Sequence, residues 1–141
     1  PIFGEAFINF HVTDPTSVGK EARSLNLSNQ NLQLPPGRTT VTKTFTFDKR
    51  VNVFSLTSHT HKLGELFVIK ISGGPRDGEI VYENTDWHDP LILNYDVPIV
   101  LEAGQGLTSI ITYNNTTSST VSFGLTSENE MGIIFGYYYE D

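Results

Sequence analysis

The sequence of 141 residues contains no cysteine, no long apolar run and no run of basic residues. The lack of cysteine excludes disulfides, thiolate metal sites, iron–sulfur clusters and cysteine nucleophiles. No stretch approaches the roughly 18 apolar residues of a membrane-spanning helix, so no membrane span is predicted. Acidic residues outnumber basic ones by 16 to 9, and the longest basic run is Lys49-Arg50. Because nucleic-acid binding depends on basic contacts to phosphate, no nucleic-acid partner is expected.

The sequence also has no convincing helical pattern, and its apolar and polar residues alternate instead. Residues 5–12, which include His11, and residues 40–47 show the period of two that is typical of β-strands. Strands are predicted at residues 5–12, 40–47, 51–61, 65–72, 79–83, 91–95, 99–102, 107–113, 120–125 and 131–139. The polar segment 16–31 is predicted to be a long loop or a poorly formed edge strand. Together these patterns predict a single all-β domain over residues 1–141, an antiparallel two-sheet β-sandwich resembling a jelly roll.

Two of the four histidines lie close together in the segment Ser58-His59-Thr60-His61. Because strand side chains alternate in direction, His59 and His61 are predicted to point to the same face, with Cα atoms about 6.5 Å apart. Two imidazoles in this arrangement can converge on one metal ion. The alternative is a pair of solvent-facing histidines that binds no metal.

Met131 is the only methionine and lies at the start of the last predicted strand. Its thioether is a soft ligand that favours Cu(I), while imidazole suits copper, zinc and iron alike. The histidine pair and this methionine would together describe a copper site. The alternative is that Met131 fills a gap in the apolar core, because it shares strand parity with Ile133 and Phe135.

Several motifs follow one another along the chain in a recognisable order. The segment 57–64, Thr-Ser-His-Thr-His-Lys-Leu-Gly, is followed much later by Glu130-Met131 and the closing Tyr137-Tyr138-Tyr139. Further matching segments are Leu34-Pro35-Pro36-Gly37, Thr85-Asp86-Trp87, Tyr113-Asn114-Asn115-Thr116 and Val121-Ser122-Phe123-Gly124. In this order and spacing they resemble the C-terminal catalytic domain of the copper type II, ascorbate-dependent monooxygenases, over about residues 25–139. That family includes peptidylglycine α-hydroxylating monooxygenase and dopamine β-monooxygenase.

The resemblance implies a metal site and a chemistry. By it, His59, His61 and Met131 correspond to the ligands of the copper that binds oxygen and abstracts hydrogen in the family. It implies an external reductant such as ascorbate, a small-molecule or peptide substrate, and an electron-donor domain or protein as partner. The expected location is secreted, periplasmic or extracellular.

Three further residues are candidates for contact with the metal or the substrate: His88, Trp87 and Glu130. For His88 the alternative is an ordinary surface position beside aspartates, and for Trp87 it is a role in anchoring its loop to the sandwich. Substrate choice is expected to lie in the loops at residues 73–78 and 84–89, around the open face of the metal.

The sequence departs from the family pattern in two ways. The family usually carries a cysteine directly after the methionine, paired with one in a neighbouring strand, and these places read Gly132 and Ile111 here. Because both cysteines are absent, the chain is expected to be a variant without this disulfide bridge. The family enzymes also have an N-terminal domain with a second, three-histidine copper, whereas only His11 and His88 remain here beyond the pair. The chain is therefore expected to lack the electron-transfer copper.

Three functions remain open from the sequence. The first is a monooxygenase domain that hydroxylates a C–H bond with electrons supplied from outside the chain. The second is a copper-binding or electron-transfer module without turnover. The third is a β-sandwich that binds another ligand, such as a glycan, in which the histidines are incidental.

Overall fold

The computed structural model of the protein describes residues 4–141. Within them a short 3₁₀ turn, Pro15–Ser17, precedes ten β-strands. The strands are β1 (Arg23–Ser28), β2 (Gln33–Leu34), β3 (Gly37–Thr46), β4 (Val51–His59), β5 (Gly64–Ser72), β6 (Ile80–Asn84), β7 (Leu93–Leu101), β8 (Gly106–Asn115), β9 (Val121–Ser122) and β10 (Ile133–Tyr139). The described residues include no helix with the length and hydropathy that a bilayer crossing requires.

The strands form two four-stranded antiparallel sheets and a two-stranded ribbon. One sheet has the order β1-β10-β4-β7 and the other β3-β8-β5-β6, while β2 pairs with β9. Counting only the eight strands of the large sheets in chain order, these orders read 1-8-3-6 and 2-7-4-5, the arrangement of a jelly roll. The predicted antiparallel β-sandwich is therefore confirmed.

The core lies between the two sheets and follows from the period-two pattern of the strands. Along β8, alternate residues Leu107, Ser109, Ile111 and Tyr113 are buried. Burying each large aliphatic side chain contributes about 1.5–3 kcal/mol relative to leaving it exposed. Other members of the core are Leu25, Leu32, Leu34, Val53, Leu56, Phe67, Ile69, Tyr82, Leu101 and Ile134.

The strand predicted at residues 5–12 is wrong. Residues 4–14 have no regular structure, and the side chains of Phe7, Ile8, Phe10 and Val12 are 76–90% exposed. His11 is exposed in the same segment rather than fixed on a strand. A segment with a period of two forms a strand only where the edge of a neighbouring strand supplies hydrogen bonds and an apolar surface to pack on. No strand pairs with residues 4–14 here. Residues 4–14 are called the N-terminal arm below.

Smaller differences concern the ends of elements. The segments predicted as two strands at residues 91–95 and 99–102 are joined in the single strand β7, which leaves out residues 91, 92 and 102 and whose pairing with β4 contains a register shift. Of the strand predicted at residues 120–125, only the two residues of β9 are observed as a strand. Segment 16–31 contains β1, which pairs only with β10 and is an edge strand of its sheet.

Candidate metal centre

The two histidines lie where β4 ends and the chain turns into β5. β4 ends at His59, so the predicted strand 51–61 is two residues too long, and His61 lies in the turn that follows. The turn is closed by a hydrogen bond from Gly64 N to His61 O at 3.1 Å. A Cβ on Gly64 would lie 2.2 Å from Thr60 Oγ1, so this tight turn requires glycine.

The imidazoles of His59 and His61 are close and differently oriented. Their ring centroids are 5.2 Å apart and the planes meet at 83°. Two rings at this separation can direct one nitrogen each to a common ion, since metal–imidazole nitrogen bonds are about 2.0–2.1 Å long. The prediction that the two rings converge is consistent with this geometry, although the second ring comes from a turn.

One hydrogen bond sets the tautomer of His61. Its Nδ1 lies 2.8 Å from the carbonyl oxygen of Asn129. Because a carbonyl oxygen only accepts, the neutral ring carries its proton on Nδ1, which leaves the lone pair of Nε2 free. Metal-binding histidines in proteins usually have their second nitrogen held by such a partner. This contact could not be predicted from the sequence, because any residue at position 129 supplies the same main-chain oxygen.

Glu130 joins the histidine turn to the methionine segment. Its side chain is 0% exposed. The carboxylate accepts hydrogen bonds from His61 N at 2.8 Å, Leu63 N at 2.8 Å and Met131 N at 3.1 Å. His61 and Met131 thus share one acceptor atom, Oε2. The candidate residue Glu130 therefore binds main chain, and it positions the two segments relative to each other.

Met131 is held from a second side by Tyr113. The hydroxyl of Tyr113 donates to the carbonyl oxygen of Met131 at 2.8 Å, and both residues are buried. Burial, and to a smaller extent the negative charge of Glu130, raises the pKa of Tyr113, so this donor keeps its proton. The main chain of Met131 is thereby fixed beside the histidine turn.

Met131 lies just outside the strand that was predicted to begin with it. β10 begins at Ile133, so the predicted strand 131–139 starts two residues too early. Ile133 pairs with His59 across β10 and β4, whereas Ile134 pairs with Ser58 and belongs to the core. The chain immediately before Ile133 therefore runs beside the histidine turn. Met131 is 9% exposed and is not a member of the core cluster. Ligation by its thioether stays a prediction.

The two positions where the family carries bridging cysteines are neighbours here. A Cβ built on Gly132 would lie 2.7 Å from Ile111 Cδ1 and 2.6 Å from the Tyr113 hydroxyl. The side chain of Ile111 therefore fills the space that a side chain at position 132 would need. Apolar packing takes the place of a covalent link at this contact between β8 and the residues before β10.

The electrostatics around His59 favour the neutral ring. Burial, followed by the positive charge that His61 can carry, lowers the pKa of His59 below its ordinary value of 6.5. A neutral imidazole is the form that binds a metal, so this environment preserves a ligand at neutral pH.

The other candidate residues lie on one side of the pair. Trp87 shares with His61 a surface hollow of about 290 Å³, which Lys62, Leu125 and Ser127 also line. Trp87 is 42% exposed, and the exposed His88 packs edge-on against it at 5.6 Å without lining the hollow. The roles of both residues stay predictions.

The expectation for the loop at residues 73–78 is wrong. This loop follows the far end of β5, whose first residue, Gly64, lies beside the histidine turn. A strand of nine residues spans roughly 30 Å, so the loop lies at the opposite end of the sandwich. Of the two loops expected to surround the site, only 84–89 is near it.

A groove of about 440 Å³ lies on the other side of the pair and was missed in the sequence. It runs over the outer face of the β1-β10-β4-β7 sheet, and Phe135 connects it to the histidines, with ring centroids of Phe135 and His59 6.2 Å apart. The lining residues are Ser24, Leu25, Asn26, Ser55, Thr57, Ile92, Phe135, Gly136 and Tyr137. Outward strand parity, as at Asn26, Thr57 and Phe135, is the only signal that the sequence contains for this groove.

The donor set fits copper. In residues 4–141 no group of three or more His, Cys, Asp or Glu side chains could hold a metal ion, so the set to be considered is two imidazoles and one thioether. Imidazole binds both oxidation states of copper, and the soft thioether favours Cu(I). Nε2 of His61 has a free lone pair. The lowered pKa of His59 keeps its ring neutral, so this imidazole also has a lone pair for such an ion.

Fold and site together define a jelly-roll domain with a candidate His₂Met metal centre at one end of the sandwich. The chain matches the family described as copper type II ascorbate-dependent monooxygenase, C-terminal domain, over residues 28–141. The chain belongs to that family.

Comparisons at the level of whole proteins add little to this assignment. No curated protein matches the chain. Structures of infectious bursal disease virus are similar at low identity: the Gx strain at 12% (TM-score 0.33), the T13 viral particle at 11% (0.28) and the Gt strain at 14% (0.28). Each comparison covers 94% of this chain, but only 35%, 36% and 40% of the viral chains, respectively. These likenesses are too weak to support an argument about function.

Proposed function

We propose that this chain binds one copper ion through His59, His61 and Met131 and is the oxygen-activating domain of a C–H hydroxylating monooxygenase. The observation that carries the proposal is the hydrogen bond from His61 Nδ1 to Asn129 O at 2.8 Å, beside a second imidazole 5.2 Å away. This bond leaves Nε2 of His61 free beside the second imidazole, where the resemblance to the family predicts the copper.

The chain's own residues have distinct tasks in this proposal. His59 and His61 supply the nitrogen ligands, and Met131 supplies the thioether. Glu130 keeps the histidine turn and the methionine segment at a fixed separation through its three main-chain hydrogen bonds. Bound copper would supply oxygen activation, with electrons from ascorbate or from a donor domain or protein outside this chain. The proposed location is secreted, periplasmic or extracellular.

Metal titration tests the ligand set. The protein is titrated with Cu(II) directly and with Cu(I) against a competing chelator. We expect one ion per chain, loss of both oxidation states in His59→Ala, and a weakening in Met131→Leu that is at least about tenfold greater for Cu(I) than for Cu(II), or 1.4 kcal/mol. His11→Ala, which changes an exposed histidine of the N-terminal arm, is the matched control. Equal losses of both states in Met131→Leu would remove the thioether from the ligand set.

Turnover is tested separately. The copper-loaded protein is mixed with ascorbate and candidate substrates under ¹⁸O₂, and the products are analysed for one incorporated oxygen atom. Stoichiometric copper binding without incorporation from any donor would identify the chain as a copper-binding or electron-transfer module instead.

A further inference from the structure

The groove beside His59 is poor in charge. The three strands that form it, β1, β4 and β10, contain one charged side chain among them, Arg23, apart from the histidine itself. Arg23 is not among the residues that line the groove, and its guanidinium pairs with Glu140 at 3.2 Å. The lining therefore presents no counter-ion to a charged ligand.

The apolar surface of the groove is large and open to solvent. Phe135 and Tyr137 lie on the same face of β10, opposite Thr57 and Ser55 of β4. Tyr137 is 51% exposed and Ile92 63% exposed. Flat aromatic rings next to an exposed aliphatic side chain form a surface on which an aromatic or aliphatic body can stack.

The hydroxyl groups of the β4 residues do not make this surface polar. Ser55 is 4% exposed, and Thr57 Oγ1 is buried without a hydrogen-bond partner although Thr57 itself is partly exposed. The part of Thr57 that lines the groove therefore consists of atoms other than Oγ1. Polar atoms available to a ligand are left mainly at the rim, on the exposed residues Ser24 and Asn26.

We infer that this groove binds the substrate of the proposed copper centre, and that the substrate is an uncharged molecule with an aromatic or aliphatic body. The inference rests on the proposed function for the reaction, and on the groove alone for the substrate class. A carboxylate or an ammonium group placed against this lining would lose part of its hydration without gaining a counter-ion, which is unfavourable. An alcohol or a hydrocarbon loses little. The volume of about 440 Å³ suits a small organic molecule.

Binding of three matched probes tests the inference on the copper-free protein. The probes are 2-phenylethanol, phenylacetate and 2-phenylethylammonium, which share a phenyl ring and differ in charge, and binding is followed by NMR chemical shifts. We expect shifts at Thr57, Phe135 and Tyr137, and an affinity for the alcohol at least about tenfold higher than for either ion. Tighter binding of an ion, shifts confined to the hollow around Trp87, or no binding of the alcohol would each overturn the inference.

A pair of charge variants at the rim supplies the specificity control. Ser24 is exposed, so Ser24→Asp and Ser24→Lys are compatible with folding. We expect the aspartate to improve binding of the ammonium probe and the lysine to improve binding of phenylacetate, each severalfold. Thr42→Asp and Thr42→Lys, on an exposed residue of the other sheet, should change neither affinity. Identical effects at both positions would assign the change to net charge and refute a role of the groove.

A Cu(II) titration in the presence of the alcohol separates this inference from the proposed function. Paramagnetic broadening of the probe's resonances is expected only when copper is bound near the groove. If copper fails to bind while the alcohol still prefers the groove, the metal proposal fails and the substrate class stands. If copper binds and the alcohol does not, the opposite holds.

Discussion

At the scale of single residues, the arrangement of the site depends most on Glu130. A buried carboxylate is costly unless several donors replace its hydration, and here three main-chain N–H groups do so. Since these donors belong to the histidine turn and to Met131, the charge has been buried at the point where two distant segments meet. We interpret Glu130 as a positioning residue for the candidate ligands.

Glu130→Gln tests this role with an almost isosteric side chain. The amide nitrogen of glutamine can only donate, so it cannot accept a hydrogen bond from the main-chain N–H group that it faces. That N–H group is left without an acceptor. We expect a loss of about 1–3 kcal/mol in the free energy of unfolding and a loss of about 10–100-fold in copper affinity. Urea unfolding and Cu(I) competition measure the two effects.

Glu128→Gln is the control for Glu130→Gln. The Glu128 side chain is 83% exposed, and its ion pair with Lys62 is 3.6 Å long, so its removal should change stability by less than about 0.5 kcal/mol. A folded Glu130→Gln variant with wild-type copper affinity would contradict the positioning role.

The protonation of His59 gives a prediction on pH. Its pKa in the folded protein is lowered below the ordinary 6.5, first by burial and second by His61. The unfolded chain therefore binds a proton at this residue at a higher pH than the folded one does. The contribution of His59 to stability is complete above the unfolded pKa and is lost as pH falls through the folded pKa. NMR titration of the copper-free protein should place the His59 midpoint below 6.5.

His61→Gln should raise the His59 midpoint, because the repelling charge is removed while burial remains. A midpoint that does not move on this substitution would leave burial as the sole cause. A midpoint above the ordinary value in the unsubstituted protein would contradict the buried environment described for the ring.

At the scale of elements, the contact between β8 and the start of β10 depends on a missing side chain. A Cβ on Gly132 would meet Ile111 and Tyr113 at distances well below van der Waals contact. Tyr113 cannot withdraw without giving up its hydrogen bond to Met131 O. The glycine is therefore required by packing at this point.

Gly132→Ala is expected to lower the free energy of unfolding by about 1–3 kcal/mol, as overpacking does elsewhere. Gly19→Ala is the matched control, since nothing lies within 4 Å of a Cβ built there. Adding Ile111→Val removes the clashing Cδ1, so the double variant should be more stable than the sum of the single effects predicts. Strict additivity in urea unfolding would show that Ile111 is not the group that the new methyl meets.

The elements also show where local patterns suffice and where they do not. Strands β3 to β5, β8 and β10 were predicted within about three residues, because each has one face on the core and is rich in β-branched and aromatic residues. The N-terminal arm has an equally regular alternation but no neighbouring edge, and it stays irregular and exposed. Pairing partners are a tertiary property, so alternation alone could not distinguish the arm from a strand.

At the scale of the whole molecule, the jelly-roll order explains the assembly of the site. β10 lies between β1 and β4, so the residues before β10 are placed beside the turn after β4. Residues 59–61 and 129–131 meet there, although five of the ten strands, β5 to β9, lie between them in sequence. The antiparallel register that pairs Ile133 with His59 brings this about.

The N-terminal arm should be dispensable for the stability of this assembly. Its apolar side chains are almost fully exposed, and the family match begins only at residue 28. Removal of residues 1–13 is expected to change the free energy of unfolding by less than about 0.5 kcal/mol and to leave copper stoichiometry unchanged. Urea unfolding and metal titration measure this, and a loss above about 1 kcal/mol would show that the arm packs on the sandwich.

The all-β class, the antiparallel sandwich and the identity of the candidate ligands could be predicted from the residues alone, because alternation, turn residues and ligand chemistry are properties of short segments. The tautomer of His61, the buried contacts of Glu130, the packing of Ile111 against Gly132 and the uncharged groove on one sheet became visible only in the folded chain. Each of these arises where segments far apart in sequence meet, and such a meeting depends on the order of strands in the sheets, which no local pattern encodes.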